Sequence, residues 1–146
     1  MARKVFFSFA YDDLWRVNVV RYSAVIDGVC LAGFHDASVW KIAKRQGDAA
    51  IKVLIDDALK TSIATVVLIG ANTSARAYVS YEVERSIELG HALLGVRINQ
   101  IKDENGRSGS AGQVPMALMK AEVPIYDYEF GRLGSWIEKA QARAKP

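Results

Sequence analysis

The chain has 146 residues, the length of one ordinary domain; 51% are hydrophobic and 24% are charged. This composition excludes a disordered chain, and the single cysteine, Cys30, excludes an intramolecular disulfide. The net charge of +3 comes partly from both ends and does not indicate a nucleic-acid partner. No apolar stretch approaches the roughly 20 residues that cross a bilayer. We therefore expect one cytoplasmic domain over residues 1–146, without a membrane segment.

Strand and helix patterns alternate along the chain. In chain order they predict a strand, a helix, a short strand and a helix over residues 5–9, 13–23, 29–31 and 47–59. The continuous apolar run Thr65–Gly70 predicts a central strand, because only a strand covered on both faces hides such a run. A helix, a strand, a Gly- and Ser-rich loop, an edge strand and a closing helix follow over 77–89, 93–98, 102–113, 123–126 and 133–144.

This alternation predicts an α/β fold in three layers, with a central, mainly parallel sheet and helices on both faces. In such folds ligands bind at the carboxyl ends of the strands. Here those ends are residues 9–13, 70–74 and 99 onward. We therefore expect any active site along this edge of the sheet.

Glu82 is the carboxylate that falls on the inward side of the predicted helix 77–89. At about 100° per residue, the inward arc contains Tyr78, Val79, Glu82, Val83, Ser86, Ile87 and Leu89, whereas Tyr81, Glu84, Arg85 and Glu88 lie outside it. Buried carboxylates are seldom kept without a partner or a function. The pattern alone leaves two interpretations equally open: catalysis, or a structural role bonded to the backbone amides of a loop.

Several separated segments carry a family pattern, namely residues 4–9, 34–40, 61–62, 66–70, 78–82 and 86–88. From Arg3 to about Asp103 the chain thereby resembles the TIR-like subunit of the Thoeris anti-phage system. The resemblance implies a flavodoxin-like, TIR-like fold and an enzyme that splits NAD+, releases nicotinamide and cyclises the remaining ADP-ribose. NAD+ is then the substrate, and neither a cofactor nor a metal is implied.

The resemblance also implies the site residues. In that family an aromatic residue, a small apolar residue, two variable positions and Glu open the helix after the central strand, which makes Glu82 the catalytic carboxylate. Tyr78 departs from the usual Trp but leaves the carboxylate in place. Loop position and motif indicate aromatic substrate contacts from Phe9, Tyr11 and Trp40, and polar ones from Asp36, Ser38 and Asn72. Taken singly, each of these six also fits a core, cap or turn role.

The resemblance further implies a phage-derived trigger and a separate effector protein reached through the diffusible product, and it leaves a homo-oligomer open. The alternative is a non-catalytic TIR-like module that binds a nucleotide or assembles through its surface. Asp12 and Asp13 resemble the acidic pocket of a receiver domain, but the central strand ends without the required aspartate. The segment Gly106–Gly112 lacks the ending of a phosphate-binding loop, and His35 and His91 form no metal-ligand pattern.

Overall fold

The computed structural model describes residues 3–31 and 37–144, with side chains described outside residues 31–40. Within these ranges the strands are β1 (Arg3–Ser8), β2 (Val29–Leu31), β3 (Ala64–Ile69), β4 (Ala92–Arg97) and β5 (Ile125–Asp127). The helices are α1 (Leu14–Ala24), α2 (Ala37–Gln46), α3 (Asp48–Lys60), α4 (Ala77–Glu88), α5 (Met116–Lys120) and α6 (Leu133–Ala144). No helix in the described part of the chain is long and apolar enough to cross a bilayer.

The described strands form one parallel sheet in the order β2-β1-β3-β4-β5. This is the order of flavodoxin-like folds, in which the chain reverses direction across the sheet beside its first strand. Strand β3 is central and every one of its residues is buried, as the apolar run predicts. The α/β fold predicted from the sequence is therefore confirmed.

Helices cover both faces of this sheet. On one face, residues of α1 and α6 such as Val17 and Ile137 pack against the alternate strand residues Val5, Val66 and Leu94. On the other face, α3, α4 and α5 pack against the strand residues between them, which are Phe6, Val67, Ile69 and Leu93. Because alternate strand residues point to opposite faces, both layers draw their core from the same strands.

The sequence pattern does not predict α2 or α5. Helix α2 follows the least periodic part of the sequence, although Lys44 and Arg45 in its last turn are typical of a helix end. Helix α5 has five residues after Pro115, too few for a 3.6-residue period to be recognised. The remaining elements agree with their predicted positions to within about two residues, the usual uncertainty of element ends.

Two residues of α4 depart from their predicted sides. Ile87, predicted to face inward, is 52% exposed. Tyr81, predicted to be solvated, is half-buried and packs against the cluster between α3 and the sheet. Helix α4 packs against α3 on one flank, so its buried arc is rotated toward Tyr81 and away from Ile87. Packing between two helices is not encoded in the period of either one.

Candidate active site

Helix α4 carries Glu82 into the protein interior. Val79 and Val83 are fully buried on this helix and pack against β3 and β4. Glu82 lies on the same side of α4, where 1% of its surface remains exposed. The inward position predicted for this carboxylate is therefore confirmed, and the charges predicted to be solvated, at Glu84 and Glu88, are exposed.

Two donors bind the same oxygen of Glu82. The hydroxyl of Ser8, the last residue of β1, donates to Oε1 at 2.6 Å. The Nη1 atom of Arg76 donates to Oε1 at 2.6 Å, with 23% of the arginine side chain exposed. Neither of these contacts uses Oε2. Among the described residues, Glu82 is thus held by a strand end and a guanidinium, and no backbone amide of these residues bonds its side chain.

The surroundings of Glu82 act on its charge in opposite directions. Burial raises the pKa of the carboxyl above its ordinary value, because a charge loses its hydration in the interior. The positive charge of Arg76 and the hydrogen bonds from Ser8 and Arg76 lower it, but burial is the larger effect. A carboxylate held in this way interacts strongly with any positive charge that develops beside it, because little water screens the interaction.

A second set of hydrogen bonds fixes the helical turn around Glu82. The Ser86 hydroxyl donates to the backbone carbonyl of Glu82 at 2.6 Å and lies 2.7 Å from the hydroxyl of Thr65 on β3. On the flank facing α3, the hydroxyl of Tyr78 donates to Asp48 at 2.6 Å and that of Tyr81 to Asp56 at 2.8 Å. Helix α4 is thus tied to the sheet and to α3 on both sides of the carboxylate.

The predicted substrate-binding residues that the structure describes form separate pairs at the carboxyl edge of the sheet. Phe9 packs against the core cluster that α1 and α6 form with the sheet, and its ring centroid lies 6.2 Å from that of Tyr11, which is 42% exposed. The exposed Asn72, which follows β3, donates to Asp12 at 3.1 Å and so joins the ends of β1 and β3. Asp36 lies outside the described residues. Ser38 and Trp40 lie in α2, with their side chains outside the description.

A second buried carboxylate, Asp13, precedes α1 at the same edge. Its Oδ1 lies 3.4 Å from Arg16, whereas its Oδ2 is buried without a hydrogen-bond partner. Burial raises the pKa of Asp13, and the charge of Arg16 opposes this effect. The Oδ2 atom packs so closely on Gly70 that a Cβ there would overlap it.

Arg16 mainly binds the loop that follows β4. Its Nε donates to the carbonyl of Ile101 at 2.6 Å, its Nη2 to that of Arg107 at 3.0 Å, and Asp103 lies at 3.9 Å. Asp13 is thus enclosed and Asp12 is bonded to Asn72, so the two do not form the open acidic pocket of a receiver domain. No group of three His, Cys, Asp or Glu side chains among the described residues is placed to hold a metal ion.

Comparison with known proteins decides the family. The family model described as "Thoeris protein ThsB, TIR-like domain" matches residues 6–103. The chain belongs to the TIR-like ThsB family. A protein of Bacillus cereus (strain MSX-D12) named "Putative cyclic ADP-D-ribose synthase ThsB1" is 45% identical over 153 aligned positions, which cover 98% of this chain and 80% of that protein. The family expected from the resemblance is thereby confirmed.

Sequence reasoning missed two partners of Glu82 in this ThsB-like chain. Ser8 could have been found, because it lies two residues after Phe6 on β1. Residues i and i+2 of a strand point to the same face, so Ser8 faces the same helices as Phe6. Arg76 gave no such signal. It lies just outside α4 with an extended backbone, where the helical period does not apply. The matched family region contains both residues, as well as Glu82.

Proposed function

We propose that this chain is an NAD+-cleaving enzyme of the ADP-ribosyl cyclase type, with Glu82 as its catalytic carboxylate. The observation that carries the proposal is a fully buried carboxylate at the carboxyl edge of a parallel sheet, held through one oxygen by Ser8 and Arg76. Glu82 lies in the first half of α4, at the position where the family pattern has its glutamate. The 45%-identical relative named as a cyclic ADP-D-ribose synthase supports the same chemistry.

The reaction breaks the bond between nicotinamide and ribose. Nicotinamide leaves as a neutral molecule with the bonding electron pair, and positive charge remains on an oxocarbenium-like ribose. A nucleophilic atom elsewhere in the ADP-ribose then attacks this carbon, closes the ring and releases a proton. A carboxylate held beside the ribose stabilises the cation and orients a ribose hydroxyl, as in glycoside hydrolysis.

Other residues of the edge complete the proposed substrate site. The exposed ring of Tyr11 offers a stacking surface for a base, and the exposed amide of Asn72 offers a hydrogen bond to ribose or phosphate oxygens. Phe9 supports Tyr11 from the side of the core. Asp36, Ser38 and Trp40 belong to the same proposal on their motif positions alone.

We place this activity in Thoeris anti-phage defence. In this proposal a phage-derived signal triggers the enzyme in the cytoplasm, and the cyclic ADP-ribose product diffuses to a separate effector protein. The family membership of the chain supports this context. The alternative, a non-catalytic binding or assembly module, predicts the same fold without a chemical requirement for Glu82.

Removal of the charge of Glu82 tests the proposal. Bacteria that produce the unmodified chain, Glu82→Gln or Glu88→Gln are challenged with phage, and their extracts are analysed by mass spectrometry for nicotinamide and cyclised ADP-ribose. Glu88 is the matched control, since its side chain is 65% exposed and pairs with Arg85 on the same helix. We expect Glu82→Gln to lose about 100-fold or more of both products and Glu88→Gln to retain them. Full signalling by Glu82→Gln would favour the binding module.

A further inference from the structure

Arg76 lies at the boundary of α4, and its side chain turns back to Glu82. The residue caps the helix with an extended backbone at φ −76° and ψ 124°. Its guanidinium therefore does not follow the helical period, and it contacts Glu82 six positions later along the chain. With 23% of the side chain exposed, this cation is partly withdrawn from water, where its interaction with a carboxylate is only weakly screened.

Other charged side chains of α3 and α4 have partners of their own. Asp48 and Asp56 of α3 accept hydrogen bonds from Tyr78 and Tyr81, respectively. The guanidinium of Arg85 on α4 pairs with Asp56 and Glu88. From β1, the group that reaches Glu82 is the neutral hydroxyl of Ser8. Of the charged groups on the described parts of β1, α3 and α4, Arg76 is the one that contacts the carboxylate.

We propose that Arg76 is a positioning residue that orients Glu82 through Oε1 and favours its charged form for the reaction at the ribose of NAD+. This inference rests on the proposed function. A buried carboxylate with only a neutral donor takes up a proton more readily, and the neutral acid stabilises a cationic ribose poorly. The charge of Arg76 opposes this protonation, and the Ser8 hydroxyl of β1 holds the same Oε1 atom.

The pH profile of the reaction separates this role from a structural one. We would measure kcat/KM for nicotinamide release from pH 5 to 9 for the unmodified chain, Arg76→Met, Arg76→Lys and Arg85→Met. We expect the kcat/KM of Arg76→Met to be roughly tenfold or more below that of the unmodified chain at pH 6 and to recover at higher pH. The acid limb of its pH profile should therefore lie at higher pH. Arg76→Lys keeps the charge and should retain most of the original profile. Arg85→Met, which removes an arginine from the same helix, should match the unmodified chain.

Two results would overturn the inference. An unchanged pH profile in Arg76→Met would show that the guanidinium does not control the charge of Glu82. A higher activity of Arg76→Met at every pH would show that the ion pair restrains Glu82 instead of preparing it. If the methionine variant does not fold, Arg76→Gln is the second neutral variant for the same measurement.

A readout independent of turnover keeps this inference separate from the proposed function. The side-chain carboxyl of Glu82, labelled with ¹³C and assigned by its absence in Glu82→Gln, is titrated by NMR in the folded protein. We expect its midpoint to lie at higher pH in Arg76→Met than in the unmodified chain or Arg85→Met. This displacement, together with no nicotinamide release in phage-challenged cells that produce the unmodified chain, would refute the proposed function but preserve the control of Glu82 by Arg76. An unchanged midpoint would refute the inference whatever the activity.

Discussion

Two buried carboxylates lie at the carboxyl edge of the sheet, and each contacts an arginine. Glu82 belongs to α4 on one face of the sheet, and Asp13 precedes α1 on the other. Burial raises the pKa of both. The arginine contact of Glu82 is 2.6 Å long and that of Asp13 is 3.4 Å. Both residues are buried and both contact an arginine, so neither property distinguishes them. The arrangement of the hydrogen-bond donors around each carboxylate does.

The two carboxylates differ in how their oxygen atoms are bound. Both hydrogen bonds that described residues donate to the Glu82 side chain converge on Oε1, and its arginine lies at a helix boundary beside the edge of the sheet. The Oδ2 atom of Asp13 packs on Gly70 without a hydrogen-bond partner, and Arg16 binds loop carbonyls as well. This difference agrees with the reaction that we propose for Glu82, and Arg16, which pairs with Asp13, attaches the loop after β4.

The largest structural effect should follow from removing Arg16. The Arg16→Met substitution leaves Asp13 as a buried charge and releases two loop carbonyls, so we expect the free energy of unfolding to fall by about 3 kcal/mol. Urea denaturation measures this change. The double variant with Asp13→Asn should recover part of the loss. Arg132→Met removes an exposed ion pair and should cost less than about 1 kcal/mol. An equal loss in both single variants would contradict the role assigned to Arg16.

A smaller effect should follow from filling the space beside Asp13. In Gly70→Ala the new Cβ overlaps the Asp13 carboxylate, which is too short and too enclosed to move freely. We expect a loss of about 2 kcal/mol in the free energy of unfolding, because an overpacked site must shift its neighbours. Urea denaturation of Gly70→Ala and of the unmodified chain measures this loss. Similar stabilities of the two proteins would show that Asp13 is not confined.

The smallest effect concerns the pH dependence of stability at Glu82. Since burial raises the pKa of Glu82 in the folded protein, the folded state binds more protons than the unfolded chain, and stability falls as pH rises through this range. Glu82→Gln removes this loss. We expect the variant to be more stable than the unmodified chain at pH 8, by on the order of 1 kcal/mol. This difference in stability should shrink as the pH falls toward 4.5, the ordinary pKa of a glutamate. Thermal unfolding at several pH values checks this, and a pH-independent difference would contradict it.

The fold could be predicted wherever an apolar run or a helical period continues without interruption through a whole segment. The run that forms β3 and the periodic face of α4 are such patterns, and they place Glu82 in the interior correctly. Helix α5 is too short to show a period, and the exposure of Ile87 depends on how α4 packs against α3. The first is a limit of segment length, and the second is a tertiary effect that no single segment encodes.

The candidate site could be predicted only in part. The position of Glu82 follows from helix periodicity together with the family resemblance. Its contact with Arg76 depends on a side chain that turns back from a helix cap, and the contacts of Arg16 join α1 to a loop more than 80 residues away along the chain. Such contacts arise from tertiary structure. The substrate roles of Phe9, Tyr11, Asp36, Ser38, Trp40 and Asn72 stay predictions.

The most direct test of the central claim compares the two carboxylates in one experiment. Phage-challenged cells producing the unmodified chain, Glu82→Gln or Asp13→Asn are extracted, and nicotinamide and cyclised ADP-ribose are measured per amount of folded protein. We predict that Glu82→Gln loses about 100-fold or more of both products, whereas Asp13→Asn stays within about tenfold of the unmodified chain. Normal product levels from Glu82→Gln, or an equal loss from Asp13→Asn, would contradict the assignment of the chemistry to Glu82.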